Sequence, residues 1–172
     1  MILIYAFSNP WGTNISRRTL LELQKVLLPS LSKEGPGVDF RVINSYPQQF
    51  FQKYIHNYHY DLIIGLGDGV SDKIRIETQA KNAYNNKSIY PFSPIFIDLS
   101  LPNVDNHDPA IFTISSNMGT YNCNWMAFTT QLHIDQKNLS TKHLFLHLPK
   151  KDNATFLASQ VKNLLDSNNI YL

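Results

Sequence analysis

An α/β fold is predicted for this chain: one domain spanning residues 1–172, built as a three-layer α/β/α sandwich around a mostly parallel central sheet. Three observations carry that prediction. Short continuous apolar runs bounded by turn residues recur along the chain, which is the pattern of strands covered on both faces. Segments with apolar residues at helical spacing alternate with them, as in successive strand–helix–strand units. The 172 residues, 43% hydrophobic and 12% aromatic, suffice for one substantial core, and neither an internal repeat nor a linker divides them.

The elements follow in order. Ile2 to Phe7 is a first buried strand. After a loop holding Pro10 and Gly12, Ser16 is placed to cap a helix whose Leu20, Leu21, Leu23, Leu27, Leu28 and Leu31 fall near helical spacing. G-P-G at 35–37 breaks the chain, and V-D-F-R-V-I (38–43) follows as a second strand. Pro47 opens an amphipathic segment with Phe50, Phe51, Tyr54 and Ile55 on one side, and D-L-I-I-G (61–65) is a third strand. G-L-G-D-G (65–69) is expected to be a tight turn that brings backbone close to a site. It lacks the third glycine of a dinucleotide cradle, since Val70 stands there, and no clear helix start follows.

I-R-I-E (74–77) alternates like a strand, and a polar, Asn-rich stretch runs from there to Tyr90. P-I-F-I-D-L (94–99) and A-I-F-T-I-S (110–115) are two further strands, with D-N-H-D-P turning between them. A helix is expected from Tyr121 to His133, then the strand H-L-F-L-H-L (143–148), then a last helix with Ala154, Phe156, Leu157, Val161, Leu164 and Leu165 as its apolar stripe. Ligands in such sheets bind at the carboxyl ends of strands, so the loops after Phe7, Ile64, Ser115 and Leu148 are where a site is expected.

Charge and composition exclude several classes. Fifteen basic against thirteen acidic side chains leave +2, with no Lys or Arg run long enough to track a phosphate backbone, so nucleic acid is not an expected partner. No apolar stretch approaches the ~18 residues of a membrane span, and the N-terminal residues lack a basic signal region and read as a strand. The single cysteine cannot form an intramolecular disulfide. A cytoplasmic protein is the expectation.

That cysteine, Cys123, lies within N-M-G-T-Y-N-C-N-W-M-A-F (117–128). A lone cysteine is more often an inert apolar filler than a nucleophile. Here, however, Gly119 lies just upstream and Asn122 and Asn124 flank the thiol where a strand has turned toward a helix. Near a helix N-terminus, unpaired N–H groups favour a thiolate and can receive an oxyanion. A thiol nucleophile needs a histidine to take its proton. His56, His59 and His107 sit in polar or turn-like surroundings, and His133, on the same helix, is about 15 Å along the axis. His143 and His147 share one strand, and His147 stands at its carboxyl end. A third member would be a carboxylate that fixes the imidazole tautomer. Spacing does not choose between Asp68, Asp72, Glu77, Asp98 and Asp105.

Taken together, several segments resemble the pyroglutamyl peptidase I family of cysteine peptidases. S-S-N-M-G-T-Y-N-C-N is similar to that family's nucleophile motif S-x-S-A-G-x-Y-x-C-N, and L-F-L-H-L-P to its F-I-H-x-P. I-R-I-E-T-Q-A-K-N resembles its E-x-x-A-x-N, and I-L-I-Y-A-F-S-N-P-W-G-T-N-I-S is a looser match to its N-terminal strand and loop. The resemblance implies the sandwich fold, a triad of Glu77, Cys123 and His147 with Asn82 beside the glutamate, no cofactor and no metal, and a peptide substrate whose N-terminus is blocked by pyroglutamate. It also implies a small lactam pocket lined by Phe7, Trp11 and Leu66, with Asn122 beside the nucleophile. A homo-oligomer is compatible with it.

This chain departs from the family at definite places. Between Pro94 and Ser115 about twenty residues stand where the family carries a longer, helix-bearing insertion. Ala6 replaces a glycine, Trp11 a phenylalanine, Ile15 a proline and Met118 a small alanine. The alternative expectation is therefore a non-catalytic protein of the same fold that binds a ligand or partner.

Overall fold

The computed structural model of the protein describes residues 1–27 and 37–171. Along the chain run β1 (Ile2–Phe7), α1 (Ile15–Leu27), β2 (Val38–Ile43), α2 (Pro47–Tyr54), β3 (Leu62–Gly69), β4 (Ile74–Glu77), β5 (Gln79–Lys81), β6 (Phe96–Asp98), β7 (Phe112–Ser115), α3 (Asn122–Gln136), β8 (Lys142–Pro149) and α4 (Ala154–Ser167). Six strands form one sheet in the order β2-β1-β3-β8-β4-β7, and β5 pairs with β6 in a separate two-stranded sheet. Every pairing in the large sheet is parallel except that of β8 with β4. The fold is thus the α/β sandwich with a mostly parallel sheet that the sequence pattern predicts, broken by one antiparallel seam.

Alternation along the strands divides the core in two. Ile2, Ile4, Ala6, Leu62, Ile64, Leu66, Leu144, Leu146 and Leu148 pack with α1 and α4 on one face. Leu3, Tyr5, Ile63 and Phe145 pack with α2 and α3 on the other. Because both faces are covered, each central strand is apolar at consecutive positions, which is why these strands appear as unbroken runs in the sequence.

Several local expectations are corrected. G-L-G-D-G is not a turn: it is the second half of β3, so the strand runs past Ile64 to Gly69. Ser16 does not cap α1 but lies inside its first turn. The capping group is Asp68 of β3, whose carboxylate accepts the Ser16 N–H at 3.0 Å, the Ser16 hydroxyl at 2.6 Å and the Asn14 amide at 3.2 Å. A carboxylate held there is worth on the order of 1 kcal/mol to the helix. Leu21 is surface-exposed, and Phe156 points outward from α4. Leu28, Leu31, Gly35 and Pro36 lie outside the described residues.

The Asn-rich stretch owes its shape to one side chain. Asn82 accepts the N–H groups of Ile89 and Tyr90, both at 3.0 Å, and donates to the carbonyl of Tyr90 at 2.8 Å, closing residues 82–90 into a loop. Residues 94–115 hold β6 and β7 and no helix. No helix among the described residues is long and apolar enough to cross a membrane.

Candidate active site

The antiparallel seam brings the chemistry together. Register pairs Arg75 with His147 and Glu77 with Phe145 across β4 and β8, while Gly65, Gly67 and Gly69 of β3 stand beside Phe145, His147 and Pro149. Residues two apart on a strand share a face, so the three glycines leave a bare strip under α3. That strip is what the G-x-G-x-G run encodes. A Cβ on Gly67 would stand 2.8 Å from the sulfur of Cys123 and 3.0 Å from Cδ2 of His147. Thiol and imidazole therefore flank the same spot, and only a glycine leaves room for both. At Gly65 an added Cβ would meet the Phe145 ring at 2.5 Å and the Tyr5 hydroxyl at 2.6 Å.

His147 Nδ1 lies 2.7 Å from Oε1 of Glu77, which is fully buried. A carboxylate facing Nδ1 favours the tautomer with its proton there, leaving Nε2 free to accept another. Arg75 completes the cluster, with Nη2 3.0 Å from the same Oε1 and 3.2 Å from His147 Nδ1.

Cys123 is the second residue of α3, reached through residues 116–121. Gly119 takes φ +81° in that approach, a conformation that favours glycine. The helix start is fixed by the buried Asn124. Its amide donates to the carbonyls of Lys81 at 2.8 Å and Ala83 at 2.7 Å, and its Oδ1 accepts the Lys81 N–H at 2.8 Å. Among the described residues no side chain caps α3, so the N–H groups of its first turn face the thiol end without a competing acceptor.

Cys123 as a residue is half-buried, yet burial is the largest influence on its sulfur. It pushes the Cys123 thiol up to about 12, with the Asp68 carboxylate and then Glu77 acting in the same direction, against its own backbone N–H and Arg75. The expected pull of the helix N-terminus toward the thiolate exists, but desolvation outweighs it. The neighbouring Tyr5 hydroxyl is fully buried, has no hydrogen-bond partner among the described residues, and is raised well above its usual range, first by burial and then by Cys123.

The expected pocket residues fare unevenly. Phe7 packs edge-on against Tyr5, ring centroids 6.1 Å apart, near the end of the glycine strip. Asn122 is exposed and accepts a hydrogen bond from the Tyr84 hydroxyl at 2.9 Å. Trp11 is 82% exposed and packs on nothing in the core. Leu66 turns its side chain into the α1/α4 core, because strand alternation sends it opposite to Gly65 and Gly67. Its assignment to the pocket is corrected. The larger surface hollows, of about 520 and 540 Å³, lie elsewhere, one between α1 and the start of α4 and one between α2 and α3.

Residue-by-residue reading of the sequence missed Arg75 and Tyr5; it placed Asn124 only as a polar neighbour of the thiol, and Gly67 only within a run expected to turn near a site. The alternation of I-R-I-E was the available signal for Arg75, since it puts that side chain on the face of Glu77. Among the described residues, no group of three or more His, Cys, Asp or Glu side chains is placed to hold a metal ion.

Neither a protein-family model nor a curated protein matches the sequence. Solved structures do match the fold. The pyrrolidone carboxyl peptidase from Thermus thermophilus superimposes with a TM-score of 0.76 at 18% identity, covering 100% of both chains. That from Thermococcus litoralis gives 0.74 at 19% identity over 99% of this chain and 93% of its own. Pyroglutamyl peptidase I from Bacillus amyloliquefaciens gives 0.72 at 16% identity over 99% and 95%. At such identities what is shared is the fold.

Proposed function

Starting from the fold of the pyrrolidone carboxyl peptidases, we propose that this protein is a cysteine-type omega peptidase that removes an N-terminal pyroglutamyl group from peptides. One observation carries the proposal: Cys123 and His147 both border the space above Gly67, while Glu77 holds Nδ1 of the imidazole. The three side chains come from α3, β8 and β4, and Gly67 leaves the room that two of them occupy.

The chemistry follows from the thiol's resting state. With its pKa near 12, Cys123 keeps its proton at neutral pH, so the proton leaves as the sulfur attacks. His147 Nε2 takes it while Sγ bonds to the carbonyl carbon that follows the lactam ring. The N–H groups of the first turn of α3 stabilise the oxyanion, and Glu77 stabilises the imidazolium. The imidazolium then protonates the departing amine, leaving a pyroglutamyl thioester. Water, deprotonated by His147, releases the acid. No cofactor enters this scheme, and a lone catalytic thiol fits a reducing compartment such as the cytoplasm.

The test is release of a fluorophore from a pyroglutamyl amide, run beside prolyl and acetyl-alanyl amides. Hydrolysis confined to the pyroglutamyl compound, and lost in Cys123→Ser, is the expected result. The second reading, a non-catalytic protein of this fold, draws on the exposed Trp11 and on the protonated thiol. It expects no turnover of any of the three amides, and alkylation of Cys123 at the same rate with or without His147.

A further inference from the structure

Two buried atoms in the cluster have no partner among the described residues, and they are complementary: Nε of Arg75, a donor, and Oε2 of Glu77, an acceptor. A guanidinium normally grips a carboxylate with two parallel N–H···O bonds. Here only Nη2 reaches Glu77, and it reaches Oε1, the oxygen that also holds His147. The same Nη2 stands 3.2 Å from His147 Nδ1. Guanidinium nitrogens only donate, so that approach is a hydrogen bond only when Nδ1 is unprotonated and the imidazole proton sits on Nε2. When Nδ1 carries the proton and donates it to Oε1, Nη2 of Arg75 has no acceptor on the ring and keeps only its 3.0 Å ion pair with Oε1.

We propose that Arg75 is a positioning residue that sets which nitrogen of His147 carries the proton. In one arrangement Nδ1–H bonds Glu77 and Nε2 is free to receive the Cys123 proton. In the other Nη2 of Arg75 donates to Nδ1, and Nε2–H faces the sulfur as a donor. Interconversion moves one proton between the two ring nitrogens through solvent and changes no covalent bond of the heavy atoms. The charged and titratable groups facing this imidazole are Glu77 and Arg75 from β4 and Cys123 from α3 across Gly67, with Asp68 of β3 and Tyr5 of β1 acting on Cys123. Of these only Arg75 is a fixed cation.

The role in catalysis rests on the peptidase reading, but the test needs no substrate. Nitrogen-15 NMR of the histidine side chains in the full chain, assigned with His147→Gln, reports the tautomer. In the wild type the His147 signals should report a mixture of tautomers at neutral pH. In Arg75→Met they should report Nδ1–H alone. An unchanged tautomer ratio in folded Arg75→Met overturns the proposal and leaves Arg75 as a structural counter-ion. Should that variant fail to fold, Arg75→Lys decides: a compact ammonium cannot serve both partners in the same way, so the ratio must move toward Nδ1–H, and an unmoved ratio overturns the proposal. Absent hydrolysis of pyroglutamyl amides, with these NMR shifts present, would sink the peptidase reading and leave this inference standing.

Discussion

His143 and His147 lie four residues apart on the same strand, on the same face and both buried, yet they have opposite fates. His143 is sealed in the core with neither ring nitrogen partnered among the described residues, and burial pushes its pKa down to about 3. His147, at the carboxyl end, meets Glu77, Arg75 and the strip of glycines under Cys123. The residue type and the strand are shared. What makes one imidazole inert and the other a candidate base is what the adjacent strands present at each level: Ile63 beside His143, Gly67 and Arg75 beside His147.

The comparison breaks most sharply at the base itself. His147→Ala should lower hydrolysis of a pyroglutamyl amide by about a thousandfold or more, since a general base contributes roughly 10²–10⁴, whereas His143→Leu should leave kcat/KM within about threefold. Steady-state kinetics on the two variants check this, and equal losses would dissolve the distinction. Glu77→Gln keeps size but loses the charge that stabilises the imidazolium, and a fall in kcat of about a hundredfold is expected. Gly67→Ala probes the gap between the two reacting groups. The added methyl meets sulfur and ring at 2.8 and 3.0 Å, so kcat/KM should fall about tenfold or more, with stability reduced by about 1–3 kcal/mol in denaturant titrations.

The smallest effect concerns His143 and acid. In the unfolded chain this side chain binds a proton below about pH 6.5, but in the fold only below about 3. Between those values the unfolded state holds the extra proton, so stability is full above about 6.5 and declines as pH falls toward 3. His143→Leu removes that dependence and two unpartnered nitrogens. Its urea midpoint should match or exceed the wild type at pH 7, and the gap should widen at pH 4.5.

The sheet, its buried strands and the candidacy of Cys123 and His147 were legible because each rests on local pattern: an apolar run, a helix start, the end of a strand; Glu77 was singled out among five carboxylates only by the family resemblance. What stayed hidden depends on sidedness. Glycines at 65, 67 and 69 have the period of a strand, but glycine is also the commonest turn residue, and the turn was the easier inference. Once those residues are strand, Leu66 must face away from the site and Asp68 toward α1. Arg75 was visible as half of an alternating pair, yet its meeting with His147 depends on the one antiparallel seam, which joins residues 72 apart. The elevated thiol pKa was illegible for a different reason. A helix N-terminus can be read locally, while the desolvation that overrides it is a property of the whole packed layer.

The most direct test is to catch the acyl group on the sulfur. Wild-type protein turning over a pyroglutamyl amide, quenched in acid and digested, should yield the Cys123 peptide carrying a pyroglutamyl thioester, with no adduct in Cys123→Ala and no product released by it. Product formed by Cys123→Ala at the wild-type rate would contradict the account, because the reaction would then proceed without the nucleophile on which it is built.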